Sequence, residues 1–313
     1  MGAAETREKS VSAAETREKS ASAAETYASG KTSREENFPV ASALIAKRHR
    51  APILAYYRFA RAADDVADHP TLSAERKLAL LDRLEATLLG KCDADPAALP
   101  LRGEIATRGL SPTHALDLLT AFRLDVGKRR YADWGELIGY CRYSAMPVGR
   151  FVLDVHGEDR ASWAANDALC TALQIINHLQ DCGRDYRALD RVYLPLDALA
   201  ASGAAVEALA AAEASPQLRA CLRSLAARTA NLLPEAARLP AQLADRRLAI
   251  ETAVIVALAR KLLALLLARD PLRERVHLTR AQMLAIGGSG VASALLARRG
   301  WSLRRSPAGG GGS

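Results

Sequence analysis

The chain has 313 residues, 50% hydrophobic and 5% aromatic, with 43 Lys and Arg against 35 Asp and Glu and a formal charge of +8. That is apolar material for one sizeable core or two small ones, and the prevalence of alanine, leucine and arginine favours helices. No stretch alternates with period two for long enough to demand a sheet. The absence of zinc-finger spacing and of an RNP-type aromatic pattern argues against a nucleic-acid partner.

Residues 3–29 hold a near-perfect ten-residue repeat, AAETREKSVS, AAETREKSAS, then AAETYASG. With almost no apolar surface to bury, residues 1–36 are expected to be a disordered extension. Pro39 opens a first helix and a second runs over about 51–68, stopping at Pro70. Ser73 begins a third that ends at Gly90, and residues 91–101 read as a loop. Ser111-Pro112 starts another helix, which Gly127 ends. Over 132–157 a small-residue and proline interruption at 144–149 predicts a broken helix. A helix over about 161–186 follows, then a loop at 187–197 with a short extended piece. Helical runs at 216–239 and 241–268 close the bundle. The apolar run at 250–268 is broken by Arg260 and Lys261, which suits a bundle helix better than a membrane span. GGSGVAS at 287–293 has no strand before it and reads as a helix–helix turn.

Two acid-rich stretches carry the chemistry: DDVAD at 64–68 and NHLQDCGRD at 177–185. Asp64 and Asp68 are four apart and share a helix face. Asn177, Asp181 and Asp185 are spaced four and four, and Gln174 extends that stripe backwards. Both stripes sit in apolar, alanine-rich helices, where a carboxylate needs a cation or donor beside it. Arg61, three residues before Asp64, supplies one such partner, and an internal ion pair is the bland account. Two matched stripes of acids and amides also suit a hard divalent cation such as Mg²⁺ completed by phosphate oxygens. The five cysteines form no CxxC pair and predict buried thiols in a reducing, cytoplasmic setting. The six histidines show no ligand spacing, and His178 reads as a core residue. The terminal RRGWSLRR at 298–305, within a basic and glycine-rich tail, fits peripheral contact with an anionic membrane surface.

Taken with ENFPVAS at 36–42, YYRFARAADDVADHP at 56–70, FRLDVGKRRY at 122–131, YCRYSAMPVGR at 140–150 and QIINHLQDCGRDYRALDRVYLP at 174–195, the chain resembles the squalene and phytoene synthases. Within them it is most similar to the bacterial hopanoid-pathway branch that makes hydroxysqualene. The resemblance covers most of 36–300. It implies an all-α, single-domain helical bundle of the class I isoprenoid (prenyl) synthase type with a central apolar cavity, its catalytic domain spanning 37–300.

It further implies that Asp64 and Asp68 form the first aspartate motif and Asp181 and Asp185 the second, with Asn177 joining them in holding Mg²⁺. Arg61 resembles the arginine that contacts the diphosphate, and Tyr193 the tyrosine after the second motif. Arg58, Arg142, Gln174 and Asn177 complete the implied substrate-binding set. Arg142 and Gln180 stand where many squalene and phytoene synthases carry a tyrosine and an arginine, and both changes resemble the hydroxysqualene branch. The implied reaction is conversion of presqualene diphosphate and water to hydroxysqualene and pyrophosphate, alongside other enzymes of the squalene and hopanoid pathway. The alternatives are a sister synthase condensing two prenyl diphosphates and, more remotely, a non-catalytic helical assembly protein on the same fold. The last would be expected to have lost acids from one stripe.

Overall fold

A computed structural model describes residues 45–279, 281–283, 285 and 286. The repeat, the Pro39 helix start, the turn at 287–293, the basic tail and the expected domain limits lie outside the described residues. Those described form helices joined by short turns, with no strand among them.

The first helix, α1 (Lys47–Ala67), packs against α2 (Ala74–Leu88), α3 (Leu99–Arg108), α4 (Thr113–Gly127) and α6 (Met146–His156). The Ser73 hydroxyl caps α2 by accepting from the Arg76 N–H at 3.2 Å, as the sequence predicted. Gly127 is the last residue of α4, also as expected. The loop expected at 91–101 is shorter, because Pro100 sits in the first turn of α3, where its missing N–H costs nothing.

The predicted break falls at Ala145, between α5 (Trp134–Ser144) and α6. Pro147 lies in the first turn of α6. Gly149 then lets α6 press on α7 (Trp163–Leu189). A Cβ there would stand 2.0 Å from Asn166 Oδ1 and 2.6 Å from Cys170 Sγ. Gly149→Ala is therefore expected to cost about 1–3 kcal/mol by overpacking and to lower Tm by several degrees in a thermal melt.

The continuous helices expected at 216–239 and 241–268 are a correction. The chain instead forms α9 (Pro216–Ala230), α10 (Leu233–Ala236), α11 (Leu239–Gln242) and α12 (Arg246–Ala268), after a short α8 (Leu196–Ala201). Pro234 and Pro240 each sit in the first turn of a new helix. A proline ring that fits a first turn blocks the turn before it. The side chain of Asp245 starts α12 by accepting from the N–H groups of Arg247 and Leu248. Arg260 and Lys261 lie on the exposed face of α12, and no described helix is long and apolar enough to cross a membrane.

Two apolar clusters result. One gathers α1, α2, α3, α4 and α6 around Phe59, Leu81, Leu84 and Phe151, with Tyr56 and Phe151 stacked at 4.1 Å. The other gathers α5, α7 and the C-terminal helices around Tyr131, Ile175, Ile176 and Leu218. α4, α5 and α6 stand between α1 and α7 and pack on one or both of them. The two acid motifs thus ride on helices of different clusters.

Candidate active site

The acids lie where those clusters meet. α1 ends at Asp68, which is its C-cap, and no basic residue occupies the last turn. A carboxylate at the negative end of a helix dipole needs an external cation. Arg191, from the segment after α7, provides it with Nη1 2.9 Å from Asp68 Oδ1. Arg61 pairs with Asp64 at 2.7 Å, as the sequence suggested, and also with Asp65 at 2.8 Å. On α7, Gln174, Asn177, Asp181 and Asp185 form the expected half-buried stripe. Arg184 reaches Asp181 at 2.7 Å and Asp185 at 3.8 Å.

The two motifs feel each other. Burial, then the charge of Asp181, raises the Asp185 carboxyl to about 7; Arg184 and Arg191 oppose the shift, and Asp68 adds to it. The ionised form of Asp185 is therefore disfavoured unless more positive charge arrives. The donor set is all oxygen, which fits a hard ion such as Mg²⁺ and not a thiolate-seeking metal.

Behind the acids lies a buried support. Asp125, on α4, is 5% exposed and accepts hydrogen bonds from Tyr140 Oη at 2.7 Å and Tyr193 Oη at 3.0 Å. Arg191 donates through Nη2 to the Asp125 carbonyl at 2.9 Å, and its Nε lies 3.8 Å from the carboxylate. Burial raises Asp125 to about 6 against the opposing pull of Arg191. His178 stacks on Tyr193 at 3.6 Å, and burial with Arg191 nearby lowers its pKa to about 3. It is a neutral core ring, as expected, with Gln174 Nε2 3.2 Å from its Nε2. The extended piece foreseen at 187–197 joins this support. Val192 N–H donates to the Arg129 carbonyl and Leu196 N–H to that of Tyr131, both at 2.9 Å.

The structure brings Asp68 within electrostatic reach of Asp185, with Arg61 and Asp64 on the preceding turns of α1 and with Gln174, Asn177 and Asp181 on the Asp185 stripe of α7. Tyr193 is buried behind Arg191 and reaches Asp68 only through that guanidinium. Arg58 is exposed one turn before Arg61 and outside the ion pairs among the described residues. Arg142 is exposed too, turned about 200° from Tyr140 around α5. Gln180 faces away from the acids, its side-chain amide donating to the Val276 carbonyl. Sequence reasoning passed over Asp65, Asp125, Tyr140, Arg184 and Arg191. The signal available was a lone acid in the apolar face of AFRLDVG and a lone arginine opening RVYLP.

Helices that bring two aspartate pairs together at the junction of two apolar clusters define an all-α bundle of the isoprenoid synthase type. The family profile for "Squalene/phytoene synthase" matches residues 32–282. The chain is 57% identical over 271 residues to the hydroxysqualene synthase of Rhodopseudomonas palustris, covering 87% of this chain and 92% of that one. It is 50% identical over 260 residues to the hydroxysqualene synthase of Zymomonas mobilis, covering 82% and 88%. A solved squalene synthase from Alicyclobacillus acidocaldarius superposes with TM-score 0.65 at 34% identity, covering 74% of this chain and 89% of that one. A dehydrosqualene synthase superposes with TM-score 0.73 at 24% identity, over 84% and 93%, and supports the fold. The chain belongs to the squalene/phytoene synthase family.

Proposed function

We infer that this protein converts presqualene diphosphate and water to hydroxysqualene and pyrophosphate. The reading rests on the placement of two aspartate motifs from separate apolar clusters within electrostatic reach: burial and then Asp181 raise the Asp185 carboxyl, and Asp68 of the other motif adds to the shift. Resemblance to hydroxysqualene synthases across more than four-fifths of the chain selects the substrate.

In the reaction the bond from carbon to diphosphate oxygen breaks, the cyclopropylcarbinyl cation opens, and water oxygen bonds to carbon as it loses a proton. Asp64, Asp68, Asn177, Asp181 and Asp185 are the residues proposed to hold Mg²⁺. Bound there, the ion would supply Lewis-acid charge for the leaving pyrophosphate. Arg61 and Arg184 now neutralise these same acids. Their guanidinium forks also match phosphate oxygens, so they are positioned to exchange a carboxylate for the diphosphate. Arg191, buried between Asp68 and Asp125, holds the end of α1 in place. The aliphatic and aromatic side chains of the two clusters shield the cation from early capture. The free cysteines suit the proposed cytoplasmic location. The basic tail is proposed to meet the anionic membrane that receives an apolar product, beside the enzyme supplying presqualene diphosphate.

Presqualene diphosphate supplied in heavy-oxygen water is expected to give hydroxysqualene carrying the label, with no requirement for reduced nicotinamide. Prompt triterpene formation from farnesyl diphosphate alone would overturn this in favour of a condensing synthase. Magnesium is expected to raise Tm, and the rise should grow between about pH 6 and pH 8. The sign follows from Asp185. Its folded pKa is raised, so in the metal-free protein its ionisation destabilises the fold as pH climbs through 7, and a cation relieves that. A Tm shift that shrinks over this interval, measured by differential scanning fluorimetry, would contradict the assignment.

A further inference from the structure

A second cluster of ligand-bearing side chains lies at the opposite end of α1. His49 is in the first turn of α1, fifteen residues before Asp64, or about 22 Å along the axis. His156 is the last residue of α6, and Asp245 is the N-cap of α12. One donor atom from each lies within 4.8 Å of the others, the only such group of three found among the described residues. The imidazole rings sit with centroids 4.1 Å apart and planes tilted by 31°.

Each member has a donor atom to spare. His156 Nδ1 is 2.8 Å from the Val152 carbonyl. That hydrogen bond places the ring proton on Nδ1 and leaves the Nε2 lone pair bare, the backbone-carbonyl support that metal-binding histidines use. Asp245 spends Oδ1 on the two N–H groups of its cap, and Oδ2 has no hydrogen bond among the described residues. His49 is 7% exposed, accepts from Arg48 Nε through Nε2 at 2.9 Å, and has no partner for its buried Nδ1. With Nε2 accepting, the ring proton sits on that partnerless Nδ1; when Arg48 moves off and the proton shifts to Nε2, Nδ1 presents its lone pair to an ion and gains the partner it lacks. Arg48 is exposed and free to swing aside.

The framework around the three is fixed. Glu158, 8% exposed and two residues beyond His156, accepts from the N–H groups of Ala244 and Asp245 at 2.7 Å each. It thereby holds Asp245 against the end of α6.

We propose that His49, His156 and Asp245 form a transition-metal site of the zinc class, separate from the aspartates, that staples the start of α1 to the end of α6 and the start of α12. Two imidazoles and one carboxylate are the donors of such an ion, not of magnesium, and water completes the fourth position. Tetrahedral bonds of about 2.0–2.1 Å place ligand atoms about 3.3 Å apart, so the side chains draw in by roughly 1.5 Å on binding. The staple links elements from both apolar clusters, which makes it a stabilising site and not a reacting one.

The test uses the full chain stripped of metal with a chelator and held in excess magnesium, so that the aspartates do not compete. Zinc is titrated against a chromophoric chelator, and cobalt is followed by its visible absorption. One equivalent of zinc is expected to bind, Tm is expected to rise by several degrees, and cobalt should give an intense tetrahedral band. His156→Gln and Asp245→Asn are expected to weaken binding by roughly tenfold to a hundredfold and to remove the cobalt band. Asn keeps the helix cap, so Asp245→Asn should fold normally, and both variants should retain turnover with magnesium. Asp64→Asn and Asp181→Asn should bind zinc as the unaltered chain does, which separates this site from the proposed active site. Failure of the unaltered chain to take up zinc, or equal affinity in His156→Gln and Asp245→Asn, would overturn the proposal.

Discussion

Replacing Asp64 or Asp181 by Asn is expected to lower kcat on presqualene diphosphate by roughly a thousandfold, about 4 kcal/mol of barrier. Each change keeps the side-chain shape and removes one negative charge from the oxygen set proposed to hold magnesium. The fold should barely notice. The two side chains are 35% and 28% exposed, and each pairs with an arginine one helical turn away. Partly exposed pairs of that kind contribute no more than about 1 kcal/mol. Far-ultraviolet circular dichroism and Tm should therefore hold, while the magnesium-dependent rise in Tm shrinks. Unchanged turnover in both variants would remove these carboxylates from the reaction. Loss of turnover with an intact magnesium response would assign them a role other than metal binding.

Arg191→Met should act mainly through stability, because this guanidinium is 4% exposed and lies between two acids. Without it Asp125 keeps the hydrogen bonds from Tyr140 and Tyr193 but loses the one cation beside it among the described residues, and Asp68 loses its partner at the helix end. Removing one member of a buried pair costs about 3–5 kcal/mol, which for a domain of this size lowers Tm by roughly 10 °C. The loss should depend on pH in a defined direction. The folded pKa of Asp125 is already raised to about 6, and removing Arg191 raises it further. A carboxyl with a raised folded pKa is harmless while protonated and destabilises the fold as pH rises through that value. The difference in Tm between variant and parent should then be larger at about pH 8 than at about pH 5.5. Adding Asp125→Asn to Arg191→Met should recover part of the stability, since the amide needs no cation. A Tm difference independent of pH, or no gain in the double variant, would show that Asp125 is not the group left uncompensated.

Apart from α3 (Leu99–Arg108), which the sequence reading did not foresee, the helices from 47 to 189 could be read from sequence because their ends are written in short-range chemistry. Ser73 caps, Gly127 ends a helix, and Met146-Pro147 follows the break at Ala145. The C-terminal stretch was misread where Pro234 and Pro240 fall inside apolar patterns that would otherwise continue. Among the candidate site residues, Asp64 with Arg61 and the α7 stripe were legible because partners three or four residues apart meet on any helix. Asp125 and Arg191 were not. Arg191 lies 123 positions from Asp68 and 66 from Asp125, separations over which sequence spacing carries no geometric information.

Sequence by itself thus determined an all-helical chain, the two carboxylate stripes and the family whose motifs they complete, since each depends on contacts within a helical turn or on the order of motifs along the chain. Packing alone decided that the stripes belong to separate apolar clusters, that an arginine beyond α7 neutralises the end of α1, and that His49, His156 and Asp245 meet. Those outcomes depend on where distant helices come to rest. Burial then sets what each charge costs, and so which distant groups must pair.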